Sequence, residues 1–159
     1  MKTINRTAAR MLATALLVGA VAAAIGGVSL ARAGSGGRTL AFTEVQTGAT
    51  FVSISHTQQG APGDQAIFRS ALKNGQGRRV GSSSVVCEIV LGKLLQCNGV
   101  FTLPGGTLTG TALVPASETS TAPVHIAITG GTGRYAAASG QGVTTPQSQT
   151  VSRTVIHLD

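Results

Sequence analysis

The chain has 159 residues, a formal net charge of +7 and 42% hydrophobic residues, with no tryptophan among them. Four of its 12 lysines and arginines, Lys2, Arg6, Arg10 and Arg32, fall in the first 33 positions, leaving eight basic against five acidic residues in the rest. So small a basic excess, spread along the chain, gives no case for nucleic acid or a membrane surface as a partner.

Residues 1–33 read as a signal peptide. Lys2, Arg6 and Arg10 supply a positive start, an uncharged apolar run follows from Met11 to Leu30, and Ala31-Arg32-Ala33 is a small-x-small cleavage pattern. Cleavage is expected between Ala33 and Gly34, which makes the mature protein secreted and extracellular. The alternative is an uncleaved anchor, because the run is long enough to span a bilayer. That would be the protein's only membrane contact.

Residues 34–159 then form one domain with no long amphipathic helix. Short strand-like stretches recur between Gly, Pro, Asn and Ser. Thr39–Gln46 and Thr50–His56 are either two strands or one strand bent at Gly48. A loop at Gln58–Asp64 leads to Gln65–Lys73, and Asn74–Gly77 turns the chain into Arg79–Leu91. Leu94–Leu103, Thr107–Val114, Val124–Thr129, Gln141–Thr145 and Thr150–Leu158 complete the set. Pro115–Ala122, ahead of Val124–Thr129, is a polar loop, and Gly130–Ser139, after it, is a glycine-rich turn with room for one helical turn. About eight strands that pair with sequence neighbours make an all-β antiparallel barrel, the size at which a closed sheet leaves room for one small ligand.

Export to an oxidising compartment favours a disulfide between Cys87 and Cys97, the only two cysteines. His56, His125 and His157 are scattered and offer no zinc spacing, so no metal is expected. Direct pairing of Cys87 with Cys97 fixes a hairpin register in which Ile89 faces Leu95, Val85 faces Gly99 and Ser83 faces Phe101. The chain reverses at Leu91-Gly92-Lys93. One face then carries Val85, Cys87, Ile89, Leu95, Cys97, Phe101 and Leu103 and is dry. The other carries Glu88 opposite Gln96 and is wetter.

No Gly-x-Ser-x-Gly elbow supports a Ser-His-Asp triad. Ile128–Tyr135 (ITGGTGRY) runs from a strand into glycines but lacks the last glycine of a dinucleotide loop, since Ala136 stands there, and no βα alternation surrounds it. No cofactor is expected. Its glycines suit unusual backbone dihedrals at a barrel end, with Tyr135 as an anchor. Arg69 lies mid-strand, where it either points inward to bind an anionic group or snorkels outward.

Several motifs in order resemble the allene oxide cyclase and dirigent superfamily, in particular its secreted bacterial members. They are Gly63-Asp64 opening a strand, Arg79-Val80-Gly81 entering the next, Leu103-Pro104-Gly105-Gly106-Thr107-Leu108, and Gly130-Gly131-Thr132-Gly133-Arg134-Tyr135 followed by Gly140. The resemblance covers about Leu40 to Leu158. It implies an eight-stranded barrel with an apolar lumen, commonly a homotrimer, that holds a hydrophobic small molecule and steers its cyclisation or coupling. It makes Asp64 the candidate catalytic carboxylate, with bracing of a strand end as its other role. Arg69, Phe101 and Tyr135 become candidate ligand-binding residues. Glu44 and Glu88 are the other acids that could reach a lumen. The competing expectation is a non-catalytic secreted barrel, either a lipophile carrier or an envelope-associated structural protein.

Overall fold

Alternating β-branched and small residues dominate residues 38–158, and such a pattern can bury one face only by pairing into a sheet. A computed structural model describes residues 37–54, 60–91, 94–116 and 121–159. The leader, His56, the reversal at Gly92-Lys93 and part of each of the 58–64 and 115–122 loops lie outside the described residues. Eight strands are present: β1 (Arg38–Val52), β2 (Gln65–Lys73), β3 (Arg79–Leu91), β4 (Leu94–Leu103), β5 (Gly106–Pro115), β6 (Val124–Gly131), β7 (Gly140–Pro146) and β8 (Val151–Leu158). Each pairs antiparallel with its sequence neighbours, and β8 returns to β1, so the sheet closes into a barrel.

Closure depends on β1. Its first half, Arg38–Val45, pairs with β8, whereas its pairing with β2 runs from Thr43 to Val52. The two ladders overlap only at Thr43–Val45. A register shift between Gln46 and Gly48 puts an extra residue into β1 there, the bend with which a single strand serves both neighbours. Thr39–Gln46 and Thr50–Val52 are therefore parts of one continuous strand, which ends at Val52, short of the expected His56.

The cysteine hairpin has the expected register, from Ser82↔Thr102 through Cys87↔Cys97 to Ile89↔Leu95. Cys87 and Cys97 form a disulfide and are both buried, as are Ile89 and Phe101, while Glu88 and Gln96 are exposed. The dry face of the hairpin is the inside of the barrel.

One end of the barrel is plugged. Phe42, Leu72, Phe101, Leu108, Ile128, Tyr135, Ile156 and Leu158 form a single buried cluster, with the Phe42 and Phe101 rings 5.7 Å apart and tilted. A short 3₁₀ turn at Gly133–Tyr135 inserts Tyr135 into this cluster. The Leu-Pro-Gly-Gly and Gly-Gly-Thr-Gly motifs, 25 residues apart in sequence at Thr107 and Thr132, lie against each other here. The Arg134 amide donates to the Gly105 carbonyl at 2.8 Å, and the Thr132 amide to Thr107 at 2.9 Å. A β-carbon on Gly133 (φ +59°) would stand 2.2 Å from the Gly105 carbonyl oxygen, so both the dihedral and the contact require glycine.

Candidate functional site

Toward the other end, the inward-facing side chains become small. Ser70, Cys97, Gly99, Gly110 and Ala112 leave an internal cavity of about 310 Å³, closed below by Phe101 and ringed by Phe68, Val85, Val114, Val124 and Ile126. The arrangement follows from strand alternation. On β4 and β5, Cys97, Gly99, Gly110 and Ala112 stand at inner positions in this half where the plug has Phe101 and Leu108, and the smaller side-chain volume leaves the lumen open.

Glu44 is the carboxylate that lines this cavity. It follows Phe42 by two positions on β1, so the same alternation that sends Phe42 into the plug sends Glu44 into the lumen. Its Oε2 accepts a hydrogen bond from the Ser83 hydroxyl at 2.8 Å, and its Oε1 accepts one from the Thr154 hydroxyl. Thr154, fully buried, is in turn 2.7 Å from the Thr144 hydroxyl. Wall hydroxyls from β3 and β8 thus fix the carboxylate where the plug gives way to the cavity. Gln46, Ser152 and Thr150 add polar groups farther along.

Asp64 lies elsewhere. Its carboxylate is completely buried outside the cavity wall. Oδ1 accepts from the Ile54 amide (2.9 Å) and the Ser53 hydroxyl (3.2 Å), and Oδ2 from the Gly60 and Ala61 amides (3.1 and 3.2 Å). Backbone bonds from Gly63 to Ile89 and from Ile89 to Asp64 join the same segment to β3. The Gly63-Asp64 pair therefore ties the β1–β2 connection to the barrel rim.

The other sequence candidates separate as well. Phe101 belongs to both the plug and the cavity floor. Tyr135 is buried in the plug with the Arg38 guanidinium 5.4 Å from its ring centre, and it does not line the cavity. Arg69 is exposed on the outer face of β2, between Gly48 and Ser84, and does not reach the lumen. The structure brings together Phe101 and Glu44 but neither Asp64 nor Arg69. Glu44 was recognisable as one of three acids able to face inward, and its spacing from Phe42 was the signal that distinguishes it. Among the described residues, no group of three or more His, Cys, Asp or Glu is placed to hold a metal ion.

An apolar pocket with one fixed carboxylate can hold a flexible apolar molecule in a folded conformation and offer a single hydrogen-bond or proton acceptor along its length. Solved structures with this architecture are numerous. A pyocyanin demethylase superposes with a TM-score of 0.66 at 22% identity, over 77% of this chain and all of that one. The fold is an allene oxide cyclase/dirigent-type barrel. A pterocarpan synthase dirigent protein matches with a TM-score of 0.60 at 17% identity, over 77% of this chain and 83% of its own. The Diels–Alderase AbmU from Streptomyces koyangensis gives 0.63 at 19%, over 76% of this chain, which spans 63% of the length of that enzyme. No family model and no curated protein matches the sequence.

Proposed function

We propose that this dirigent-type barrel is an exported protein that binds a hydrophobic small molecule in its lumen and steers the cyclisation or coupling of that molecule. The observation that carries the reading is the 310 Å³ cavity with Glu44 held at its floor by Ser83 and Thr154. Apolar walls favour a ligand that releases water on entry. Restricting such a ligand to one folded shape removes entropy from the barrier to ring closure, and Glu44 is placed to accept a proton or offset developing positive charge. The neighbours named above include a Diels–Alderase and a dirigent synthase, whose chemistry is of the same kind. A carrier without catalysis is the second reading, favoured by the predominance of apolar groups over a single lumenal carboxylate.

Native mass spectrometry on protein recovered from its own culture supernatant tests the binding. A retained small molecule, absent from a Gly99→Leu variant whose new side chain fills the lumen beside Val85, is the expected result. The same spectrum reports the mass after leader removal and the subunit number, for which a trimer is expected. Protein that is empty in every preparation, and that binds no apolar dye, overturns the lumenal reading. Once the ligand is identified, a Glu44→Gln variant that binds it but no longer converts it supports steering. Unaltered ligand returned by both proteins supports carriage.

A further inference from the structure

The barrel wall is not equally sealed all round. The β5–β6 ladder begins at Leu108↔Gly131 and stops at Thr111↔Ala127. Both strands continue beyond that point, β5 through Ala112–Pro115 and β6 back to Val124–Ile126. Neither is frayed. β5 remains paired with β4 as far as Leu94↔Pro115, and β6 remains paired with β7 as far as Val124↔Thr144. Among the described residues, two strands that are each paired on their other side therefore run on without pairing to one another, in the half of the barrel that contains the cavity.

The split reaches the lumen. Ala112, Val114, Val124 and Ile126, which flank it, line the cavity, while Leu113 and His125 face outward along its lips. A groove on the outer surface begins at the same place, and Thr111, Ala112 and Ile126 line both the groove and the cavity. At its foot, a β-carbon on Gly110 would stand 2.7 Å from Ile126 Cγ2 and 3.0 Å from the Ala127 carbonyl oxygen, so β6 packs directly on β5 where the ladder ends. Leu113, beside the seam, is 62% exposed, the largest value for a large hydrophobic residue among the described residues. Edge backbone groups and an exposed Leu beside an internal apolar space are unfavourable for folding alone.

We propose that the β5–β6 seam is a lateral port through which an uncharged apolar small molecule enters and leaves the lumen, with Leu113 as its first apolar contact. This rests on the lumenal-binding reading above and specifies its route: through the side wall between Ala112 and Ile126, past the cavity rim but not through the strand ends.

The port is testable by stapling. In a Leu113→Cys/His125→Cys variant, the two exposed positions lie on the two sides of the seam, both line the outer groove, and neither lines the cavity. Without reductant, the Cys87–Cys97 disulfide stays intact. The two new thiols are joined by a one-carbon bridging reagent, joined by a long flexible bis-maleimide, or capped separately with iodoacetamide. Stopped-flow fluorescence with N-phenyl-1-naphthylamine measures association and dissociation in each form. The expected result is that the short bridge slows both rates at least tenfold, leaves Kd within about twofold of the capped protein, and that the long bridge restores both rates. A matching Kd in the capped form and wild type establishes that the substitutions leave the barrel folded. Equal rates in all three forms overturn the port and leave the lumenal reading standing. Wild-type protein that binds no probe at all overturns the lumenal reading and the port with it.

Discussion

The two halves of the barrel obey one alternation rule and reach opposite outcomes. In the plugged half, inner positions hold Phe42, Leu72, Leu108 and Ile156, and the last three are completely buried. In the open half, inner positions include Ser70, Gly99, Gly110 and Ala112, and a cavity remains. Packed core and open cavity are thereby placed at different heights in the same eight strands. The plug supplies packed apolar volume, and the open half leaves part of that volume as a cavity. The hydroxyl-bound Glu44 marks the boundary. A natural β-barrel without its plug would need its lumen filled elsewhere, which makes the division a property of the pattern of side-chain sizes and not of the strands themselves.

Substitutions in each half can break or sharpen this comparison. Leu108→Ala removes a fully buried side chain from the plug and should destabilise by about 3–4 kcal/mol, read from denaturant midpoints. A loss under about 1 kcal/mol would mean that the plug is not what holds the barrel together. Next in size is Asp64→Ala, which strands the amides of Ile54, Gly60 and Ala61. A loss of about 2–3 kcal/mol is expected, with Asp64→Asn recovering part of it. If Asp64→Ala instead kept full stability and lost ligand conversion, Asp64 would move from the rim to the chemistry. Replacing Cys87 and Cys97 together by Ser should lower stability by roughly 2–3 kcal/mol, since the bond closes a short loop with a separation of 10. The same variant should keep its strand content by circular dichroism, because the hairpin ladder extends on both sides of the bond. Smallest is Val114→Ala on the cavity wall, about 1 kcal/mol, because a side chain beside an existing space has fewer neighbours to lose. An effect there as large as that of Leu108→Ala would erase the distinction between the two halves.

Much of the barrel was legible in the chain. The strand boundaries from Gln65 to Leu103 follow from turn residues and alternation, and one assumption, that Cys87 faces Cys97, was enough to set the register of β3 against β4. The glycine motifs signalled a barrel end, but their sequence separation hid that they touch. Only the fold puts the Gly133 backbone against the Gly105 carbonyl and explains both motifs at once. The candidate site was less legible. Asp64 and Arg69 sit in or beside strands in ways that a sequence leaves two-sided: a carboxylate at a strand start can face the lumen or collect loop amides, and an Arg in mid-strand can take either face. Asp64 collects amides because Ile54, Gly60 and Ala61 all lie against it, a contact set by both ends of the β1–β2 connection and by β3 together.

By itself, then, the sequence determined the elements, their antiparallel order, the disulfide and which hairpin face is dry, since these depend on period-two alternation and on local turn chemistry. The tertiary structure decided three things. It decided how far up the lumen the large side chains reach, which of three acids enters it, and where the pairing of β5 with β6 ends. Each of these depends on side chains from strands distant in sequence meeting at one height of the barrel, and strand tilt and the bulge at Gly48 set that height.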